Sequence, residues 1–142
     1  MAKNVSNIKG VNFKFLDFRL HDAVFHVNRE FKSAENENIE IATDFNLGHE
    51  TTEKRVKVFL KVTSDGKKSP FSFVVEGAGL FEFEEEQEEE DIARIASINC
   101  AAILFPYIRE TVADLTRRAG FPPLHLAPVN FVEAFKANLK DK

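Results

Sequence analysis

Histidine, cysteine and carboxylate side chains are the groups in this 142-residue chain that could do chemistry, and they are few and dispersed. His21, His26, His49 and His125 stand in no spacing with a serine or cysteine that would make a nucleophile and its base. No paired-cysteine or His-Glu-x-x-His pattern offers a zinc site, and no glycine-rich loop offers a phosphate cradle. Cys100 sits beside Ala101 and Ala102 on a helical pattern, where a buried structural thiol is expected rather than a reactive one. A single cysteine cannot form an internal disulfide. The acidic run Glu84–Asp91 (EEEQEEED) lacks the interleaved ligands and glycine of a calcium loop and reads as a solvated turn into a helix. Enzymatic chemistry would need a pocket in which two or more of His26, His49, Asp44 and Glu76 converge. The expectation is that the chain is not an enzyme and carries neither cofactor nor metal.

The elements that position these groups follow from hydrophobic period. Residues Val11 to Val27 alternate apolar and polar, but the phase slips: Phe13 and Phe15 share one face, Leu16, Phe18 and Leu20 the other, Phe25 and Val27 the first. Each slip predicts a bulge or break in one long bent strand. A polar turn is expected at Ser33–Asn38 and a second strand over Ile39, Ile41, Phe45 and Leu47, followed by a turn at Gly48–Lys54. Val56, Val58, Leu60 and Val62 alternate with Arg55, Lys57 and Lys61 in a third strand. Asp65-Gly66 predicts a hairpin into a fourth strand, Pro70–Phe83, where Gly77 and Gly79 call for a bulge or a close backbone approach. Short connections imply an antiparallel meander.

The period then becomes helical. Ile92, Ile95, Ala96, Asn99, Ala102, Ile103, Ile108, Val112 and Leu115 predict a helix over about 88–119, with a kink or junction at Pro106 and a stop at Arg117, Arg118 and Gly120. The connector GFPPLHLAPVNF holds three prolines, which forbid regular structure, yet is mostly apolar. Asn130 caps a final helix over 130–140, with Glu133 at the capping-box position and Phe131, Phe135 and Leu139 on one stripe. The chain is α+β, one domain over 1–142: a four-stranded antiparallel sheet over 11–83, then a long helix and a short one.

Composition narrows function by exclusion. Net charge −4 and pI near 5.6 argue against a general nucleic-acid binder. No apolar h-region opens the chain, and no unbroken apolar run reaches the ~20 residues of a membrane span, so neither export of the chain nor stable membrane insertion is expected. A cytoplasmic location is the expectation. What remains is apolar surplus: 15 phenylalanines against one tyrosine and no tryptophan, a fourth strand apolar on both faces, and a helix apolar nearly all round. Such surplus is covered by oligomerisation or displayed in a groove.

The run LFPYIRETVADLTRRAGFPPLHLAPVNFVEAF, from Leu104 onward, resembles the C-terminal signature of the SecB family of bacterial protein-export chaperones. The matching elements are Phe105-Pro106-Tyr107, Arg109-Glu110, Gly120-Phe121-Pro122, Leu124, Leu126 to Phe131, and Phe135. They cover about a quarter of the chain. The resemblance implies a homotetramer, a dimer of dimers, in which Phe73, Val75, Gly77 and Ile103 match oligomer-interface positions. It implies an ATP-independent holdase that keeps unfolded or precursor polypeptides export-competent and delivers them to the translocase ATPase SecA. A client groove lined by the connector would use Phe121, Pro122, Leu124 and Leu126, with Phe131, Phe135, Phe45 and Leu47. Asp22 matches one of the acidic positions that dock SecA in the family. His26 and Val74 stand where two others would be, so a dedicated chaperone of a toxin–antitoxin module is the alternative reading.

Overall fold

The computed structural model describes residues 5–8, 11–32, 39–64, 66 and 68–140. The turn expected at Ser33–Asn38 lies outside the described residues, as do Asp65 and Lys67 at the hairpin. Four long strands form an antiparallel sheet: β2 (Val11–Val27), β3 (Thr43–Thr52), β4 (Arg55–Ser64) and β5 (Phe71–Phe83). The expected meander holds for β3, β4 and β5 alone, because β2 pairs with β5 and not with β3. A short strand not anticipated from sequence, β1 (Val5–Ile8), pairs with Val11–Lys14 of β2. The order is β1-β2-β5-β4-β3, so β5 is central and its apolar residues on both faces have strands on either side.

β2 carries the two slips as register shifts against β5, between Phe15 and Asp17 and between Leu20 and Asp22. Their effect differs from the sequence reading. Each bulge inserts one residue and so resets the alternation. Phe18 therefore opposes Gly79, and Phe25 opposes Phe73, on the same inner face as Phe13 and Phe15. Phe18 does not turn outward: the bulge at Leu16 returns it to the helix-covered side. On β3 the expected turn at Gly48–Lys54 shrinks to Glu53-Lys54, with Glu53 at φ 56°, because the strand continues through Gly48 to Thr52. Ile39 and Ile41 precede the strand.

One helical rod of three parts lies across the inner face: α1 (Glu89–Ile95), a π-helical turn (Ala96–Cys100) and α2 (Ala101–Arg118). The junction expected at Pro106 is this π turn instead. α2 runs unbroken through Pro106, which is exposed, as is Ala102, whose carbonyl loses its partner there and faces water. Ile92, Ile95, Leu104, Ile108 and Val112 are buried against Val56, Val58, Leu60, Val62, Val75 and Phe81. By length and composition Glu89–Arg118 would pass as a membrane span, but its apolar stripe packs on the sheet. Gly77 and Gly79 mark a close approach: a Cβ on Gly79 would stand 2.4 Å from Leu104 Cδ2, and one on Gly77 2.5 Å from the Phe18 ring.

α2 ends in a Schellman pair. Gly120, at φ 93°, donates to the Arg117 carbonyl, and Phe121 N–H donates to the Thr116 carbonyl, each at 3.1 Å. The last helix, α3 (Phe131–Lys140), starts where Asn130 Oδ1 accepts the Glu133 N–H at 3.1 Å.

Candidate functional site

The connector runs back along α2, antiparallel to it. Leu124 N–H donates to Thr116 Oγ1 at 2.9 Å, Arg109 Nε donates to the Leu126 carbonyl at 3.1 Å, and the Phe131 ring stands edge-on to Phe105 at 5.9 Å. The partner's number falls as the connector advances. This places GFPPLHLAPVN beside the helix, with β3 flanking its far end. Phe45 of β3 meets Phe131 edge to face at 5.5 Å, and at the near end Phe121 meets Phe71 at 5.1 Å.

The eight groove residues expected from sequence divide by depth. Leu126 and Phe131 are buried, 5% and 6% exposed, and form a floor. Phe45, Leu47, Phe121, Leu124 and Phe135 are half-buried, and Pro122 is exposed. The result is an apolar strip along β3, the connector and α3, continued outward by Val132 and Leu139, the latter 54% exposed. Phe side chains make no hydrogen-bond demand, so such a strip accepts apolar groups without selecting among them.

The opposite flank of α2 was not anticipated. Phe18 stacks on Tyr107 at 4.4 Å, Phe15 meets Tyr107 edge-on at 5.9 Å, and Phe25 stacks on Phe71 at 5.2 Å. The signal was in the sequence, in the i, i+2, i+5 spacing of Phe13, Phe15 and Phe18, but reading it required knowing that Leu16 bulges. The four residues expected at an oligomer interface sit close to α2. Phe73, Val75 and Gly77 are buried beneath this chain's own helix, and Ile103 is half-buried on its flank.

The outer face of the sheet is charged and internally matched. Arg55 pairs with Glu82 at 2.8 Å and Arg19 with Asp17 at 3.1 Å; Glu50 opposes Lys57, and Glu76 opposes Lys61. Asp22 is exposed on this face opposite Glu76, a second carboxylate that sequence matching did not single out. His26 and Val74 share the face with it. The enzymatic constellation does not assemble. Asp44 lies three strand spacings from His26, roughly 14 Å, and His49 is on the inner face, 3.4 Å from Glu89. Cys100 is fully buried, and burial pushes its thiol pKa up, away from thiolate chemistry. Among the described residues no three His, Cys, Asp or Glu side chains gather as a metal site.

Comparison with known proteins agrees with this architecture. The family model for SecB, preprotein translocase subunit SecB, matches residues 6–142. A protein-export protein SecB of Idiomarina loihiensis is 37% identical over 107 residues, covering 72% of this chain and 64% of that protein. One from Acidithiobacillus ferrooxidans is 46% identical over 80 residues, 56% of this chain and 52% of the relative. The matched segment thus spans between about half and two thirds of these relatives. Among solved structures, a SecB-like chaperone of Mycobacterium tuberculosis in complex with a ChAD peptide from an antitoxin superposes with a TM-score of 0.71 at 23% identity, covering 82% of this chain and 90% of that one. A protein of unknown function from Streptococcus agalactiae superposes at 0.56 with 10% identity, covering 83% and 98%. With its antiparallel sheet, long helix and short final helix laid out as they are, and a family match running over nearly its full length, the chain belongs to the SecB family.

Proposed function

We propose that the chain is an ATP-independent holdase and that the apolar strip along β3, the connector and α3 is where it holds unfolded or precursor polypeptides. The observation that carries this reading is the half-burial of Phe45, Leu47, Phe121, Leu124 and Phe135 in one strip over a buried floor of Leu126 and Phe131. Each square ångström of client apolar surface covered there yields roughly 25 cal/mol. One strip binds weakly, and several on one assembly turn later contacts into intramolecular ones. Binding the unfolded chain withdraws it from folding by mass action, with no nucleotide required.

A homotetramer, a dimer of dimers, supplies that multiplicity. It is supported by the edge of β2, which among the described residues β1 covers only over Val11–Lys14, and by Leu20, Val24 and Val27, exposed along the rest of that strand. Phe73, Val75 and Gly77 then act from beneath, setting the seat of α2, while Ile103 on its flank reaches the second copy. Delivery to SecA through Asp22, with Glu76 beside it, and a cytoplasmic location belong to the same reading. Service to a toxin–antitoxin module is a second reading, favoured by the fold shared with the mycobacterial chaperone and by His26 and Val74 on the outer face.

Light scattering of a client diluted from denaturant tests the function. Added at one tetramer per client, without ATP, the protein is expected to suppress aggregation. Undiminished scattering contradicts the reading. Affinity capture from the native cell separates the two roles: many precursors indicate export, one dominant partner a dedicated module.

A further inference from the structure

The connector between α2 and α3 has no sheet or helix of its own to satisfy its main chain, and two α2 side chains take that task. Thr116 is fully buried, at the end of a buried stripe of the helix whose other members, Ala101, Leu104, Ile108 and Val112, are apolar. Its hydroxyl stands 3.0 Å from the carbonyls of both Val112 and Ala113, and it accepts the Leu124 N–H at 2.9 Å. Its main-chain carbonyl accepts Phe121 N–H. Two turns earlier, Arg109 Nε donates to the Leu126 carbonyl. A valine would occupy the same space as Thr116 without bringing a hydroxyl into the core, and a buried hydroxyl is costly unless bonded. The bond it makes beyond its own helix goes to the connector.

We propose that Thr116 and Arg109 are positioning residues that clamp the connector at Leu124 and Leu126 and so hold the client-binding wall in place before a client arrives. Fixing the main chain at these two points sets Leu126 into the floor, leaves Leu124 half-exposed on the wall and turns His125 to solvent. A preformed wall spares the client the cost of ordering it. The inference rests on the reading of the strip as the client site.

The test combines amide exchange with binding of a fluorescein-labelled, reduced and carboxymethylated polypeptide as a permanently unfolded reporter. In Thr116→Val, exchange at Leu124 is expected to rise roughly ten-fold, the scale of one buried hydrogen bond, with reporter affinity falling several-fold. Val58 and Val75 amides in the sheet stay protected. Thr116→Ser, which keeps the hydroxyl, restores both values. Arg109→Leu loosens the connector and weakens binding at an exposed position that does not endanger the core, and Arg109→Lys recovers part of each. If Thr116→Val also deprotects the sheet, Arg109→Leu decides. A loosened connector with unchanged reporter affinity overturns the proposal, as does unchanged Leu124 exchange in a folded Thr116→Val protein. Failure of the unaltered protein to bind the reporter instead sinks the holdase reading, while exchange at Leu124 still reports whether the clamp exists.

Discussion

Adding one methyl group at Gly79 tests how closely α2 is seated on β5. A Cβ there would lie 2.4 Å from Leu104 Cδ2, 2.8 Å from the Phe81 ring and 3.3 Å from Leu104 Cδ1. Favourable carbon contacts lie near 3.5–4.0 Å, so the overlap exceeds about 1 Å. Leu104 and Phe81 are fully buried and cannot swing into solvent. Overpacking of this kind costs roughly 1–3 kcal/mol, partly offset by about 0.4–1 kcal/mol from the stiffer unfolded chain. The net expectation for Gly79→Ala is about 1–2 kcal/mol of destabilisation, a fall in Tm of roughly 3–8 °C for a chain of this size. Gly77→Ala is the internal control. Its Cβ meets the Phe18 ring at 2.5 Å, but Phe18 is half-exposed and can rotate away, leaving Ile108 Cδ1 at 3.1 Å. Its cost is expected to be less than half that of Gly79→Ala. Urea unfolding midpoints with an unchanged slope measure both. A Gly79→Ala protein as stable as the parent, or a Gly77→Ala protein less stable than Gly79→Ala, refutes the claim that the helix rests directly on this strand.

Further outcomes follow from single contacts. Leu124→Asp places a carboxylate on the half-exposed wall and is expected to weaken reporter binding about ten-fold while the far-ultraviolet spectrum holds, a loss on the scale of one apolar side chain's burial; an unfolded Leu124→Asp protein would instead make the connector a lid over the core. Asn130→Ala removes the acceptor for Glu133 N–H and should cost about 1 kcal/mol, read as faster exchange at Glu133 with α2 unaffected. A hydrogen bond from Arg118, joined by one from Arg117, holds the Asp114 carboxyl below the usual range. That pairing therefore steadies the end of α2 above the unfolded carboxylate range and is lost as pH falls through the depressed folded value. Exchange in the last turn of α2 should accelerate in acid, and Asp114→Asn should abolish that dependence. Cys100 should resist a thiol reagent at pH 8 until denaturant is added, because burial keeps its thiol protonated.

Much of the architecture was legible in period alone. The alternation of Val56, Val58, Leu60 and Val62, and the helical spacing from Ile92 to Leu115, are local patterns set by which face meets the core. Gly77 and Gly79 announced a close approach before its partner, Leu104, could be known. The destination of Phe18 was not legible, because a bulge and a change of face leave the same one-residue slip in sequence, and only the pairing partner separates them. The π turn at Ala96–Cys100 escaped notice because Pro106, the visible helix breaker, lies where a missing hydrogen bond faces water. For the site, apolar character marked the connector but not its depth. Leu124 and Leu126 are alike in sequence, and only the hydrogen bonds they make, Leu124 N–H to the Thr116 hydroxyl and Arg109 to the Leu126 carbonyl, explain why the first lies on the wall and the second in the floor.

The strip along β3, the connector and α3 is proposed to hold unfolded polypeptide. Side-chain chemical shifts recorded while the unfolded reporter is titrated into the protein test it most directly. Perturbation is expected to concentrate at Phe45, Leu47, Phe121, Leu124 and Phe135, with Val74 and Phe59 on the outer face unmoved. Shifts confined to the outer face, or none at saturating reporter, would contradict it.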